Sequence, residues 1–160
     1  MTPEVELFEA EPADAPHIAE IHLAARRQAM PYLRLHYTDA HTRDWFASVV
    51  ADRQGVWWVA RRGARIVGYM KLDEDHLDHL YVAPLWQGQG IGTALLNKAK
   101  ALSPHLLALS TFQKNARARK FYEIHGFRPV GATDGDNQEN EPDMQYVWTP
   151  ASADAEVNPW

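Results

Sequence analysis

Hydrophobic positions along the chain change period several times, and each change marks an element. A weak alternation over 5–8, with Leu7 and Phe8, predicts a first strand. Pro12 and Asp14 then open a helix, and Ile18, Ile21, His22 and Ala25 share one of its faces at helical spacing. Pro31 disfavours helical geometry in the residue before it, which ends that helix near Met30. Thr38 or Asp39 is placed to cap a second helix carrying Trp45, Phe46, Val49 and Val50. The connection over 30–37 is unusually aromatic and apolar for a loop. Runs at 56–61 and 65–72, joined through Arg62, Gly63 and Ala64, predict a hairpin, and an acidic link (Asp73, Glu74, Asp75) leads to a further strand over 76–82. A helix from Thr93 to about Ser103, a buried strand over 106–111 and a helix over 115–123 stopped by Gly126 come next. Strands at 127–130 and 144–149 flank a polar loop over 133–143. The order β-αα-βββ-α-β-α-ββ is mixed α/β, with residues 1–150 expected as one domain and 151–160 as a loose tail.

The strongest local pattern lies where the 76–82 strand meets the next helix. Pro84 stops the strand, Gly88, Gly90 and Gly92 follow at alternate positions, and helix-forming residues run on from there. A glycine-rich turn into a helix start is an anion seat, because backbone approaches the ligand closely and first-turn N–H groups lack helical partners. Gly92 is followed by Thr93 and Ala94 where a nucleoside-triphosphate loop needs Lys and Ser or Thr. A G-x-G-x-x-G dinucleotide pattern would end on Thr93 or Leu95, and neither is glycine. The spacing that fits is Gln87-x-x-Gly90-x-Gly92, preceded by Leu80-Tyr81-Val82-x-Pro84. It resembles the acyl-CoA pyrophosphate loop of the GNAT family of N-acetyltransferases. Asn115-x-x-Ala118-x-x-Phe121-Tyr122-x-x-x-Gly126-Phe127 resembles that family's second motif, and the element order matches across nearly the whole chain.

The resemblance implies a GNAT-like acyl-CoA N-acyltransferase fold: a central, mostly antiparallel twisted sheet with helices on both faces. It implies acetyl transfer from acetyl-CoA to an amine of a small molecule or peptide, by direct attack in a ternary complex. Two alternatives share the fold, a non-catalytic acyl-CoA sensor and a transferase of a longer acyl group. The cofactor would lie on Gln87, Gly88, Gln89, Gly90, Ile91, Gly92 and Thr93, with its pantetheine arm along Leu80, Tyr81 and Val82 and against Asn115. A backbone N–H near Val82 would polarise the thioester carbonyl, and Tyr122 would return a proton to the leaving thiolate. The apolar 30–37 loop resembles the family's acceptor lip. For the general base, the resemblance points to the strand before the glycines. Alternation there sets His76, Asp78, Leu80 and Val82 on one face and His79 and Tyr81 on the other. Asp78 holds the family position, and His79 has the better intrinsic pKa.

Composition narrows the partners. No cysteine is present, which excludes disulfides, Cys-based zinc sites and a cysteine-bound acyl intermediate. The eight histidines lack the i, i+4 pair with a helper acid that marks a helical zinc site, so no metal is expected. A net charge of −5 argues against general nucleic-acid or anionic-membrane binding. No apolar run reaches spanning length and the first residues are acidic, so a cytoplasmic protein is expected. A homodimer is expected only by analogy with the family. One of Trp57 and Trp58 is expected in the core and the other towards an acceptor cleft, and the acidic 133–143 loop is a candidate for steering a cationic amine or a plain solvated loop.

Overall fold

The computed structural model describes residues 5–33 and 37–150. The acidic start, the 151–160 tail and positions 34–36 of the 30–37 lip lie outside the described residues. The elements are β1 (Glu6–Glu9), α1 (Ala15–Ala29), α2 (Asp39–Ala51), β2 (Val56–Arg62), β3 (Arg65–Asp73), β4 (His76–Val82), α3 (Ile91–Leu102), β5 (Leu107–Phe112), α4 (Ala116–Ile124), β6 (Arg128–Ala132) and β7 (Asp143–Trp148). Their order is the one the hydrophobic pattern predicts.

All seven strands form one sheet in the order β1-β2-β3-β4-β5-β7-β6. Every neighbouring pair is antiparallel except β4 and β5. On one face, α1 and α2 pack Ile18, Ile21, Phe46, Val49 and Val50 against Trp57, Val59 and Tyr69. On the other, α3 and α4 pack Ile91, Leu95, Leu96 and Tyr122 against Val67, Met70, Leu77 and Leu107. Helices thus cover both faces, and the apolar stripe of each one supplies the burial that holds it there. Asp14, at the head of α1, is buried and accepts from Arg61 Nη2 at 3.0 Å, which ties that helix end to β2.

Two details place the site. The parallel pair β4–β5 is joined in register at His76 and Ala108, so the strands part beyond that point and, among the described residues, the rest of that edge of β4 has no strand partner. A bulge interrupts β4 as well: Lys71 faces His79 and Leu72 faces Leu77, leaving Asp78 unpaired. The bulge resets the alternation. Leu77, Leu80 and Val82 all pack on the α3 face, although 77 and 80 differ in parity. Asp78 therefore does not share a face with Leu80 and Val82, contrary to simple alternation.

Candidate active site

The glycine turn folds as an open cradle. Pro84–Trp86 forms a short 3-10 turn, and α3 begins at Ile91, two residues earlier than its composition suggests. Gly88 and Gly90 have φ of 78° and 83°, the left-handed region that side chains disfavour, and Gly90 caps the helix. A Cβ at either position would meet nothing within 4 Å, so the turn faces open space. First-turn N–H groups and the positive end of α3 point into that space. This arrangement fits a pyrophosphate.

The cradle opens into a cleft of about 590 Å³ that continues along the free edge of β4. Leu80, Tyr81 and Val82 line one side, Asn115, Phe121 and Tyr122 of the α4 segment the other, and Ala25, Gln28 and Met30 the top. The Val82 carbonyl accepts from Gln87 Nε2 at 3.1 Å, on the side of the strand away from β3. The N–H and C=O of one strand residue share a side, so the Val82 N–H also faces the open edge. Gln87 is more constrained than its motif suggests: its Oε1 accepts from Arg117 Nη1 at 2.9 Å, so the amide braces β4 against α4 and brings a guanidinium to the cradle. Asn115 also has a second duty, since its Oδ1 accepts from the Ala118 N–H at 3.2 Å and caps α4. Thr93, on the first turn of α3, hydrogen-bonds through its hydroxyl to His125 Nε2 at 3.1 Å, and Gln89 accepts from Arg62.

Tyr122 lines the cleft while its ring packs on Phe127 and Tyr146. Burial raises its hydroxyl above the ordinary value of 10, so the group stays protonated and able to donate.

A second cleft, of about 320 Å³, lies beside the first across Met30, which lines both. Leu23, Pro31, Leu33 and Tyr37 give it an apolar wall, and Arg26, Arg27, Asp39 and Glu139 ring it with charge. Arg26 pairs with Glu139 at 3.7 Å, and Arg27 pairs with Asp39. Glu139 belongs to the acidic 133–143 loop, which is therefore built into the cleft wall. The described part of the 30–37 lip, through Met30, Pro31, Leu33 and Tyr37, lines this same cleft.

The two expected bases sit differently. Asp78, set apart by the bulge, lines neither cleft; it accepts from Lys71 Nζ at 2.9 Å and contacts His76 Nδ1 at 2.7 Å. Those partners outweigh desolvation and hold its carboxyl down at about 2, too low for a base at neutral pH. His79 points to the α1–α2 face, where its Nδ1 is 2.9 Å from the Tyr69 hydroxyl. The same hydroxyl is 2.9 Å from Nδ1 of His22, which lines the second cleft. Sequence reading placed His22 only on a core face and Tyr69 only in a strand; no local motif links two residues that are 47 apart in the chain. Neither tryptophan lines either cleft: Trp57 is buried under α2, and Trp58 lies on the opposite face beneath Lys98.

Among the described residues no group of side chains is suited to a metal ion, and no helix is long and apolar enough to cross a membrane. A family model described as an acetyltransferase (GNAT) domain matches residues 53–129. Peptidyl-lysine N-acetyltransferase YiaC of Escherichia coli is 31% identical over 127 residues, covering 76% of this chain and 82% of that protein. The fold is shared with apo-form YjaB of Escherichia coli (TM-score 0.77, 22% identity, 92% of this chain and 99% of that one). It is also shared with yncA of Salmonella typhimurium, solved with acetyl-CoA (TM-score 0.70, 15% identity, 91% and 93%). With the glycine cradle, the parted strands and these relatives in view, the chain belongs to the GNAT family and transfers an acetyl group from acetyl-CoA to an amine.

Proposed function

We propose that the acceptor is a primary alkyl amine of the lysine side-chain type, entering through the second cleft to meet acetyl-CoA in the first. The observation that carries this reading is the junction of the two clefts at Met30, beside the free edge of β4. The apolar wall suits a chain of methylenes, and Glu139, whose pairing with Arg26 is a loose 3.7 Å, leaves a carboxylate at the rim for an arriving cation. The peptidyl-lysine name of the Escherichia coli relative supports the same acceptor class.

In this reading the pyrophosphate rests on the 87–93 turn, with Arg117 as a nearby cation, and the pantetheine amides pair with the unpartnered edge of β4 like an added strand. The Val82 N–H polarises the thioester carbonyl. As the C–N bond forms, the nitrogen becomes cationic and its proton acidifies. The nitrogen loses that proton to solvent, the C–S bond breaks, Tyr122 passes its hydroxyl proton to the sulfur, and a proton from solvent restores the Tyr122 hydroxyl.

Release of CoA thiol, followed against a panel of lysine peptides, free lysine, diamines and aromatic amines, tests the proposal. Lysine peptides and alkyl amines are expected to give the highest kcat/KM. A preference for aromatic amines, or binding of acetyl-CoA with no turnover on any amine, would reject it.

A further inference from the structure

A buried chain of three polar groups crosses the α1–α2 face: His22 Nδ1, the Tyr69 hydroxyl and His79 Nδ1, with both spacings 2.9 Å. Tyr69 is fully buried and His22 nearly so. The chain has two open ends. His22 lines the second cleft, and His79 keeps part of its surface accessible next to the exposed Trp45. Because each Nδ1 is bonded to Tyr69, the nitrogen left at each end is Nε2.

Proton counting orders the chain. One hydroxyl hydrogen lies between two ring nitrogens, so Tyr69 donates to one imidazole and accepts from the other, which must carry its hydrogen on Nδ1. With His22 as that donor, its Nε2 presents a lone pair to the cleft while His79 keeps its hydrogen on Nε2. Resting on the reading of the second cleft as the acceptor entrance, we propose that His22, Tyr69 and His79 form a relay that carries the acceptor's proton out of the ternary complex.

The step balances. The N–H bond of the nitrogen breaks as a bond forms to His22 Nε2. The His22 Nδ1 hydrogen passes to the Tyr69 oxygen, the Tyr69 hydrogen passes to His79 Nδ1, and the His79 Nε2 hydrogen leaves to water. Once product departs and the cleft is wet, the two Nε2 atoms exchange with solvent and the starting tautomers return.

A relay is needed because neither imidazole retains charge well. Burial, the neighbouring His79 and Arg26 hold His22 at about 2. Burial, Lys71 and Arg26 hold His79 at about 4, against the opposing pull of Asp78. Around them, α2 contributes the aromatic faces of Trp45 and Phe46, β2 contributes Trp57, and β4 contributes Tyr81, and among the described residues no carboxylate is hydrogen-bonded to His22. A lone histidine there would be a poor proton store, whereas a chain that passes the proton on as it receives one need not store it.

The test uses the full-length protein, acetyl-CoA and an amine that the wild type turns over. Tyr69→Phe and, separately, His79→Gln are expected to lower kcat about 100-fold at pH 7, the low end of proton-transfer contributions. Acetyl-CoA affinity by calorimetry should stay within about 2-fold, since neither residue lines that cleft. The deficit should shrink at high pH, where hydroxide can take the proton from the nitrogen in place of the relay. The wild type should give a curved proton inventory in H2O–D2O mixtures, from several protons in flight, and the variants a linear one. His79→Gln, at the accessible end, and the wild-type inventory keep the test decisive if Tyr69→Phe fails to fold. Wild-type kcat and pH profile in His79→Gln, or a linear wild-type inventory, would overturn the relay alone. A wild type that turns over no amine would overturn the acceptor reading and the relay together.

Discussion

Single side chains in this protein are told apart by what surrounds them more than by residue type. Tyr122 and Asp78 are both titratable and both stand in a family position, yet only Tyr122 opens onto a cleft. Its hydroxyl, raised by burial, keeps its hydrogen at neutral pH and can hold it against the leaving sulfur, although the upward shift makes full transfer to a thiol of pKa about 8.5 harder, not easier. Tyr122→Phe is expected to lower kcat by about 10- to 100-fold while leaving CoA affinity within about 2-fold, a split that steady-state kinetics with calorimetry reads directly. Full kcat across pH 6–9 in that variant would remove the acid role. Asp78 is bound to Lys71 and His76 on the far side of a bulge, so Asp78→Asn should keep at least half of wild-type kcat. A hundredfold loss would place it back in the chemistry.

At the scale of elements, the 87–92 turn shows how much could be read in advance. Glycine spacing, the strand before it and the helix after it were all legible, because each rests on a local rule about φ, capping or period. The side-chain roles of Gln87 and Asn115 were half legible: the motif located them, but their hydrogen bonds to Val82, Arg117 and the α4 backbone depend on how separate elements meet. The bulge at Asp78 was not legible, since one extra residue in a ladder leaves the hydrophobic pattern almost unchanged while turning every later side chain over. The His22–Tyr69–His79 chain was hidden for the same reason on a larger span. Two glycines of the turn give a paired prediction. Gly90 has φ of 83°, so Gly90→Ala should cost about 1 kcal/mol of stability and weaken CoA binding. Gly92 sits in the first turn of α3, where a Cβ would make an ordinary contact with Phe121 at 3.5 Å. Gly92→Ala should therefore hold or raise Tm, by helix propensity, while still weakening CoA binding if that face must stay bare for the ligand. Thermal melts with and without CoA separate the two outcomes, and an unchanged CoA shift in Gly92→Ala would show that the seat needs no glycine there.

On the scale of the whole molecule, the same burial that shapes the site makes the fold sensitive to acid. His22 and His79 titrate near 6.5 when unfolded but only at about 2 and about 4 in the fold. Between pH 6.5 and 4 the unfolded chain binds protons at both positions and the folded chain does not, so stability falls as pH falls. Each such group tilts the folding free energy by about 1.4 kcal/mol per pH unit in that window. Asp78, held at about 2, adds a loss in the same direction below about pH 4. His76 works the other way: its imidazole is raised chiefly by its hydrogen bond to Asp78, so its contribution is complete below 6.5 and fades as pH rises through its folded value. Two depressed imidazoles against one raised one leave a net loss on acidification. Urea unfolding at pH 7, 6 and 5 should show stability dropping through this range, and His22→Gln should flatten the fall by about 1.4 kcal/mol per unit whatever it does to stability at pH 7. The slope is the diagnostic quantity, because a packing defect shifts the whole curve while a lost titration changes its tilt. Parallel curves for wild type and His22→Gln would mean that His22 already takes up its proton inside the fold, and the neutral chain from the second cleft to His79 would lose its physical basis.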